Sequence, residues 1–117
     1  MDLKLEGLRA LVTGSSSGIG AGIATVLARE GAVVAVHGRD AARTRQVAED
    51  LRAAGATAHW VLGDVATVEG CAAVAKAVDE AMGGVDILVN NAGGKSAAGN
   101  PPWFDVGWQD WVATDEH

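Results

Sequence analysis

The sequence predicts an α/β fold, a parallel sheet wound by helices, because short β-branched runs alternate with segments of helical period. Two further observations support this. A glycine-rich stretch stands where the first apolar run hands over to the first helical segment. The fourth run, Ile87, Leu88 and Val89, is apolar at consecutive positions, so both of its faces expect cover, as in the interior of a parallel sheet.

Taken in order, residues 9–13 (RALVT) form a first strand ending at Gly14. Residues 19–30 carry Ile19, Ile23, Val26 and Leu27 at helical spacing before Gly31 stops that helix. Residues 32–37 (AVVAVH) form a second strand. After Gly38 and Arg39, Asp40 can cap a helix whose Val47, Ala48, Leu51 and Ala54 share a face, and Gly55 ends it. Residues 57–62 (TAHWVL) form a third strand. A third helix starts at about Thr67, with Val68, Cys71, Ala75, Val78 and Met82 on one stripe before Gly83 and Gly84. Residues 85–90 (VDILVN) complete a fourth strand.

At 117 residues the chain is one domain at most; a domain of this size buries roughly 65% of the surface its unfolded chain exposes. Apolar residues make up 49% and charged residues 21%, a globular balance without low-complexity tracts. The formal charge of −6 disfavours a nucleic-acid partner, whose phosphates want a clustered basic face, and Arg9, Arg29, Arg43 and Arg45 are scattered. No apolar run reaches the ~18 residues of a membrane span. The start MDLKLEGLRALVTG has acids and a glycine where a signal peptide needs a basic and then an apolar stretch. These features predict a cytoplasmic protein with no membrane partner, and the single Cys71, unable to form an internal disulfide, suits a reducing compartment.

The chemistry concentrates in Thr13, Gly14, Ser15, Ser16, Ser17, Gly18, Ile19 and Gly20, where backbone amides at a helix start can face an anion such as phosphate. Gly14 allows the sharp turn, Gly18 lets the backbone approach a pyrophosphate, and Gly20 lets the helix pack close to the sheet. The serine hydroxyls can add hydrogen bonds. A glycine-rich turn that merely reverses the chain is the alternative. The spacing G-x-x-x-G-x-G differs from the dinucleotide fingerprint G-x-G-x-x-G, and it lacks the Lys-Ser/Thr ending of a mononucleotide P-loop.

TGSSSGIG at residues 13–20, together with NNAG at residues 90–93, resembles the short-chain dehydrogenase/reductase family. Asp64 and Val65 after the third strand, and the order of the four strands, extend the resemblance over almost the entire chain. The resemblance implies a Rossmann-type doubly wound sheet of order 3-2-1-4, with residues 1–117 forming a single, partial NAD(P)-binding domain. It implies an NAD(P)-dependent oxidoreductase whose parent activity is reversible hydride transfer between the cofactor and a carbonyl or alcohol. It further implies that Asp64 accepts a hydrogen bond from the adenine amino group with the Val65 backbone beside it. Asn91, Ala92 and Gly93 would line the adenosine and ribose side of the cleft, and Asn90 would tie neighbouring strands. A plain turn-forming role is the alternative for Asp64.

An NAD-preferring site usually places an acid at the end of the second strand, roughly 20 residues beyond the glycine turn, to hold the ribose 2′-hydroxyl. Here that position is Gly38, followed by Arg39, whose guanidinium can hold a 2′-phosphate and stack on adenine. The expected cofactor is therefore NADP(H) in preference to NAD(H). Against this, the residue before the second glycine, often basic in NADP(H) members of the family, is Ser17, and Arg39 could be a solvated neighbour of the Asp40 cap. A methyltransferase using adenosyl-methionine, which usually wants an acid near the end of the second strand, is disfavoured by Gly38.

His37, His59 and Cys71 lack metal-ligand spacing and are read as structural, so no metal is expected. Trp103, Trp108 and Trp111 are read as core rather than as a stacking platform, and Lys95 and Ser96 match no catalytic position of the family. That family uses a Tyr as general acid, a Lys four residues later, a Ser and an Asn. The chain contains no tyrosine, and by family spacing from Trp111 the Asn would fall just after His117, so no catalytic residue is assigned and the polypeptide alone is expected to be inactive. The alternative to an enzyme portion is a non-catalytic, truncated dinucleotide-binding protein that self-associates or pairs with another chain. The apolar residues 85–90 would then form an exposed sheet edge.

Overall fold

The computed structural model describes residues 5–91. Its elements are β1 (Arg9–Val12), α1 (Gly18–Arg29), β2 (Val33–Gly38), α2 (Ala41–Ala53), β3 (Ala58–Leu62), α3 (Val68–Met82) and β4 (Ile87–Val89). The four strands form one parallel sheet in the order β3-β2-β1-β4, as the resemblance implies. From β1 the chain steps outward through β2 to β3, then returns by way of α3 to place β4 on the other side of β1. The connections therefore leave in opposite directions from the β1/β4 pair, which in open α/β sheets marks a ligand crevice beyond the strands' carboxyl ends.

Strand alternation sorts the core into two layers. Ala10, Val12, Val34 and Val36 point to one face and pack with Ala24 of α1 and Ala48 and Leu51 of α2. Leu11, Ala35 and Val61 point to the other and pack with Cys71, Val74 and Val78 of α3. Full burial of each Val or Leu contributes about 1.5–3 kcal/mol. Ile87 and Val89 join the first layer and Leu88 the second, so β4 is covered on both faces, as its unbroken apolar run predicts. That strand is shorter than expected, and side chains as well as backbone bonds tie its ends to β1. Arg9 donates from its backbone N–H to Asp86 Oδ2 at 2.7 Å and from its guanidinium at 3.1 and 3.2 Å. At the far end Thr13 Oγ1 donates to Asn90 Oδ1 at 3.2 Å, the strand tie expected of Asn90.

The helix faces differ from the periodicity in detail. α1 turns Gly20 and Ala24 inward, while Ile19 and Val26 are 78% and 52% exposed. Small residues bring the helix axis closer to the sheet than a branched stripe would, and Ile23 and Leu27 then pack from the flanks. On α2, Thr44 is buried, its hydroxyl donating to the Asp40 carbonyl at 2.6 Å, whereas Ala54 is the exposed C-cap. On α3, Val74 is buried and Val68, in the first turn, faces outward.

Candidate functional site

Every residue assigned to the cleft and described here lies beyond the carboxyl end of a strand. The turn after β1 requires glycine twice, since Gly14 and Gly18 have φ of 64° and 59°, a left-handed conformation that other residues rarely adopt. A Cβ on Gly20 would strike the Gly14 carbonyl oxygen and come within 2.7 Å of Asn91 Nδ2, so the first turn of α1 rests directly on the start of the glycine turn. Beside Gly18 a Cβ would meet, among the described residues and apart from its own chain neighbours and helix backbone, nothing within 4 Å, which leaves that side of the backbone approachable.

The three serines differ. Ser15 is buried, its hydroxyl donating to the Val12 carbonyl at 2.6 Å and accepting from the His37 N–H at 2.9 Å, while its own N–H donates to the His37 carbonyl at 2.8 Å. It continues the β1–β2 pairing past the strands, so both its hydroxyl and its amide are engaged within the protein. Ser16 lies against Gly38: a Cβ there would meet Ser16 Cβ and Oγ at 2.8 Å, as well as the Thr44 hydroxyl. Ser17 is the N-cap of α1 but makes no side-chain cap bond. By contrast, Asp40 Oδ1 accepts from the Arg43 N–H at 3.1 Å, and Thr67 Oγ1 accepts from the Gly70 N–H at 3.0 Å. Of these three helices, α1 alone presents its first amides without a side-chain cap, and its first turn holds no acid. Those amides carry roughly +0.5 charge, and the exposed Ile19 stands beside them.

Around this turn the other loops close in. Asn91 donates from its backbone N–H to Thr13 Oγ1 at 3.0 Å and from Nδ2 to the Gly14 carbonyl at 3.1 Å. Arg39 and Asp64 face one another, Arg39 Nη1 lying 4.0 Å from Asp64 Oδ2 with both side chains well exposed. An ion pair so open to solvent holds weakly, and its guanidinium can turn to another anion. Asp64 does make the turn considered as its alternative role, Oδ1 accepting from the Ala66 N–H at 2.8 Å. Val65 anchors that loop, its side chain in the α3-side core and its carbonyl accepting from the Cys71 thiol at 3.3 Å.

His37 is the member of this group that the sequence reading left aside. It is 2% exposed; its Nδ1 accepts from the Gly14 N–H at 2.9 Å, and its Nε2 lies 2.7 Å from the Gly63 carbonyl. Burial pushes the imidazole below its ordinary pKa; the bond to Gly63 opposes this, Arg39 lowers the value further and Asp64 raises it. A histidine closing an otherwise apolar buried strand between two glycine loops must find partners for both nitrogens, and that was the available signal. Ala92 and Gly93, with Lys95, Ser96, Trp103, Trp108 and Trp111, lie outside the described residues. Among the described residues no cluster suited to a metal ion occurs, and no helix is long and apolar enough to cross a membrane.

The family model of short chain dehydrogenases matches residues 9–114. The chain belongs to the short chain dehydrogenase family. Similar short chain dehydrogenases include the oxidoreductase YvaG of Bacillus subtilis, 42% identical over 113 residues, covering 95% of this chain and 40% of that protein. Gluconate 5-dehydrogenase of Gluconobacter oxydans is 37% identical over 111 residues, with 95% and 43% covered. Among solved structures, L-sorbose reductase from Gluconobacter frateurii, complexed with NADPH and L-sorbose, superposes with a TM-score of 0.76 at 38% identity, covering 98% of this chain and 46% of that one. This short chain dehydrogenase sequence thus spans less than half the length of these relatives.

Proposed function

We propose that these residues are the NADP(H)-binding portion of an oxidoreductase that transfers hydride between NADP(H) and a carbonyl or alcohol. The observation that carries the reading is the convergence, at the carboxyl ends of the strands, of an uncapped helix start with an exposed guanidinium following a glycine. The donor set suits a dinucleotide phosphate: the amides after Ser17 and the open side of Gly18 would take the pyrophosphate, with Ser16 and Ser17 at the rim. Ser15 shapes the turn from inside, its polar groups being engaged already. Ile19 would lie against the cofactor, Asp64 and the Val65 backbone would take adenine, and Asn91, Ala92 and Gly93 would border the ribose side. Arg39 would hold the 2′-phosphate, because the position that would carry a competing acid is Gly38, overlain by Ser16. When bound, the dinucleotide supplies or accepts the hydride; these residues orient it. No tyrosine occurs among the 117 residues, so they do not contribute the general acid of the family's chemistry, and no catalytic residue is assigned. The buried thiol of Cys71, in no disulfide among the described residues, accords with a reducing, cytoplasmic setting.

Titration with NADPH and NADH by fluorescence tests this reading. Saturable NADPH binding is expected, and Arg39→Ala should weaken it about tenfold to a hundredfold while changing NADH binding little. Equal losses for the two nucleotides would remove the 2′-phosphate role, and no binding of either would remove the cofactor reading. A second reading, a non-catalytic dinucleotide-binding protein that self-associates, is favoured by β4. Among the described residues this strand pairs with β1 alone, and its Ile87, Leu88 and Val89 carry neither charge nor proline to blunt an edge.

A further inference from the structure

Resting on that cofactor reading, we propose that His37 is a positioning residue for the dinucleotide, a neutral imidazole protonated on Nε2 that fastens the pyrophosphate turn to the adenine loop. The geometry leaves one tautomer. The Gly14 N–H can only donate, so Nδ1, 2.9 Å away, carries no hydrogen. The Gly63 carbonyl can only accept, so Nε2, 2.7 Å away, carries it. Protonating Nδ1 would set one N–H against another at Gly14.

Three loops meet at this ring. His37 ends the apolar part of β2, Gly14 opens the turn after β1, and Gly63 immediately precedes Asp64 after β3. The His37 backbone is bound in the same place, exchanging both of its hydrogen-bonding groups with Ser15. On its other side Gly14 accepts from Asn91 Nδ2, so the start of the glycine turn is held between β2 and the end of β4. At 2% exposure, water does not replace either ring partner freely, and losing one leaves a backbone group short of its bond. The charged groups acting on the ring are Arg39, next but one in the chain and just past the end of β2, and Asp64, beyond Gly63, and they act in opposite directions.

Two substitutions divide the role. His37→Asn keeps an acceptor where Nδ1 lies and gives up the reach to Gly63; His37→Gln keeps a donor where Nε2 lies and gives up the acceptor for Gly14. Nitrogen-15 NMR of the imidazole in the unsubstituted 117-residue chain should show the Nε2–H tautomer titrating below the ordinary histidine range. NADPH affinity should fall about tenfold in each variant. In the unsubstituted chain affinity should also fall with pH in step with the His37 NMR titration, a step His37→Gln lacks. Comparing the two profiles cancels titration of the nucleotide's own phosphate. An Nδ1–H tautomer, an ordinary titration, or variants that bind with unchanged affinity and pH profile overturns the proposal while leaving the cofactor reading standing. Failure of the unsubstituted chain to bind nucleotide removes both. Packing alone would lower affinity in the variants without tying the pH profile to this ring.

Discussion

A side chain on Gly38 would point into Ser16 and the Thr44 hydroxyl, so the acid that marks NAD preference needs the glycine turn and the first turn of α2 to move. Gly38→Asp should therefore cost about 1–3 kcal/mol of stability, read as a lowered denaturant midpoint, before it gains any NADH selectivity. A variant as stable as the parent that prefers NADH would show slack at Ser16. His37 supplies the pH prediction. Its folded pKa is lowered from 6.5 chiefly by burial, so between the two values the unfolded chain binds more protons. Its contribution to stability is present in full above pH 6.5 and is lost as the pH falls from there through the lower folded value. Urea midpoints measured from pH 7.5 downward should decline, and less steeply in His37→Gln; parallel declines would exclude a neutral buried ring. The glycines were legible as a turn because φ above zero and close packing each demand that residue. His37 was legible only as a strand residue, since its partners are backbone groups 23 and 26 positions away with no residue-type signature.

At the level of the elements, the three helices start differently: α2 and α3 are capped by Asp40 and Thr67, and α1 is not capped by Ser17. An acid at position 17 would satisfy the helix but compete with a phosphate. Ser17→Asp should raise stability by about 0.3–1 kcal/mol and weaken NADPH binding at least tenfold. Stability and affinity rising together would mean that this helix start faces no anion. Strand and helix placement along the chain could be read from periodicity because each run carries its own apolar signal, whereas the order of the strands in the sheet came from the family resemblance. The inward face of α1 could not, because Gly20 and Ala24, which make the closest approach, carry the weakest hydrophobic signal, and Ile19 and Val26, which carry the strongest, point outward.

For the whole molecule, the sheet is asymmetric. β2 and β1 have neighbours on both sides, whereas among the described residues β4 has β1 alone and lies half-buried. Light scattering on a sizing column is expected to show self-association of the chain, reduced by a lysine in place of Leu88; a monodisperse monomer at all concentrations would count against the edge as an interface. Ser15 meanwhile makes the proposed phosphate seat an extension of the β1–β2 ladder rather than a loop hung from it. The seat can therefore exist only after those two strands have found their register, and a nucleotide has nothing to grip in the unfolded chain. Ligand and fold then reinforce each other by mass action: nucleotide at a hundred times its dissociation constant would add about 2.7 kcal/mol. On the proposed reading, a cell rich in the dinucleotide would in this way hold the sheet together.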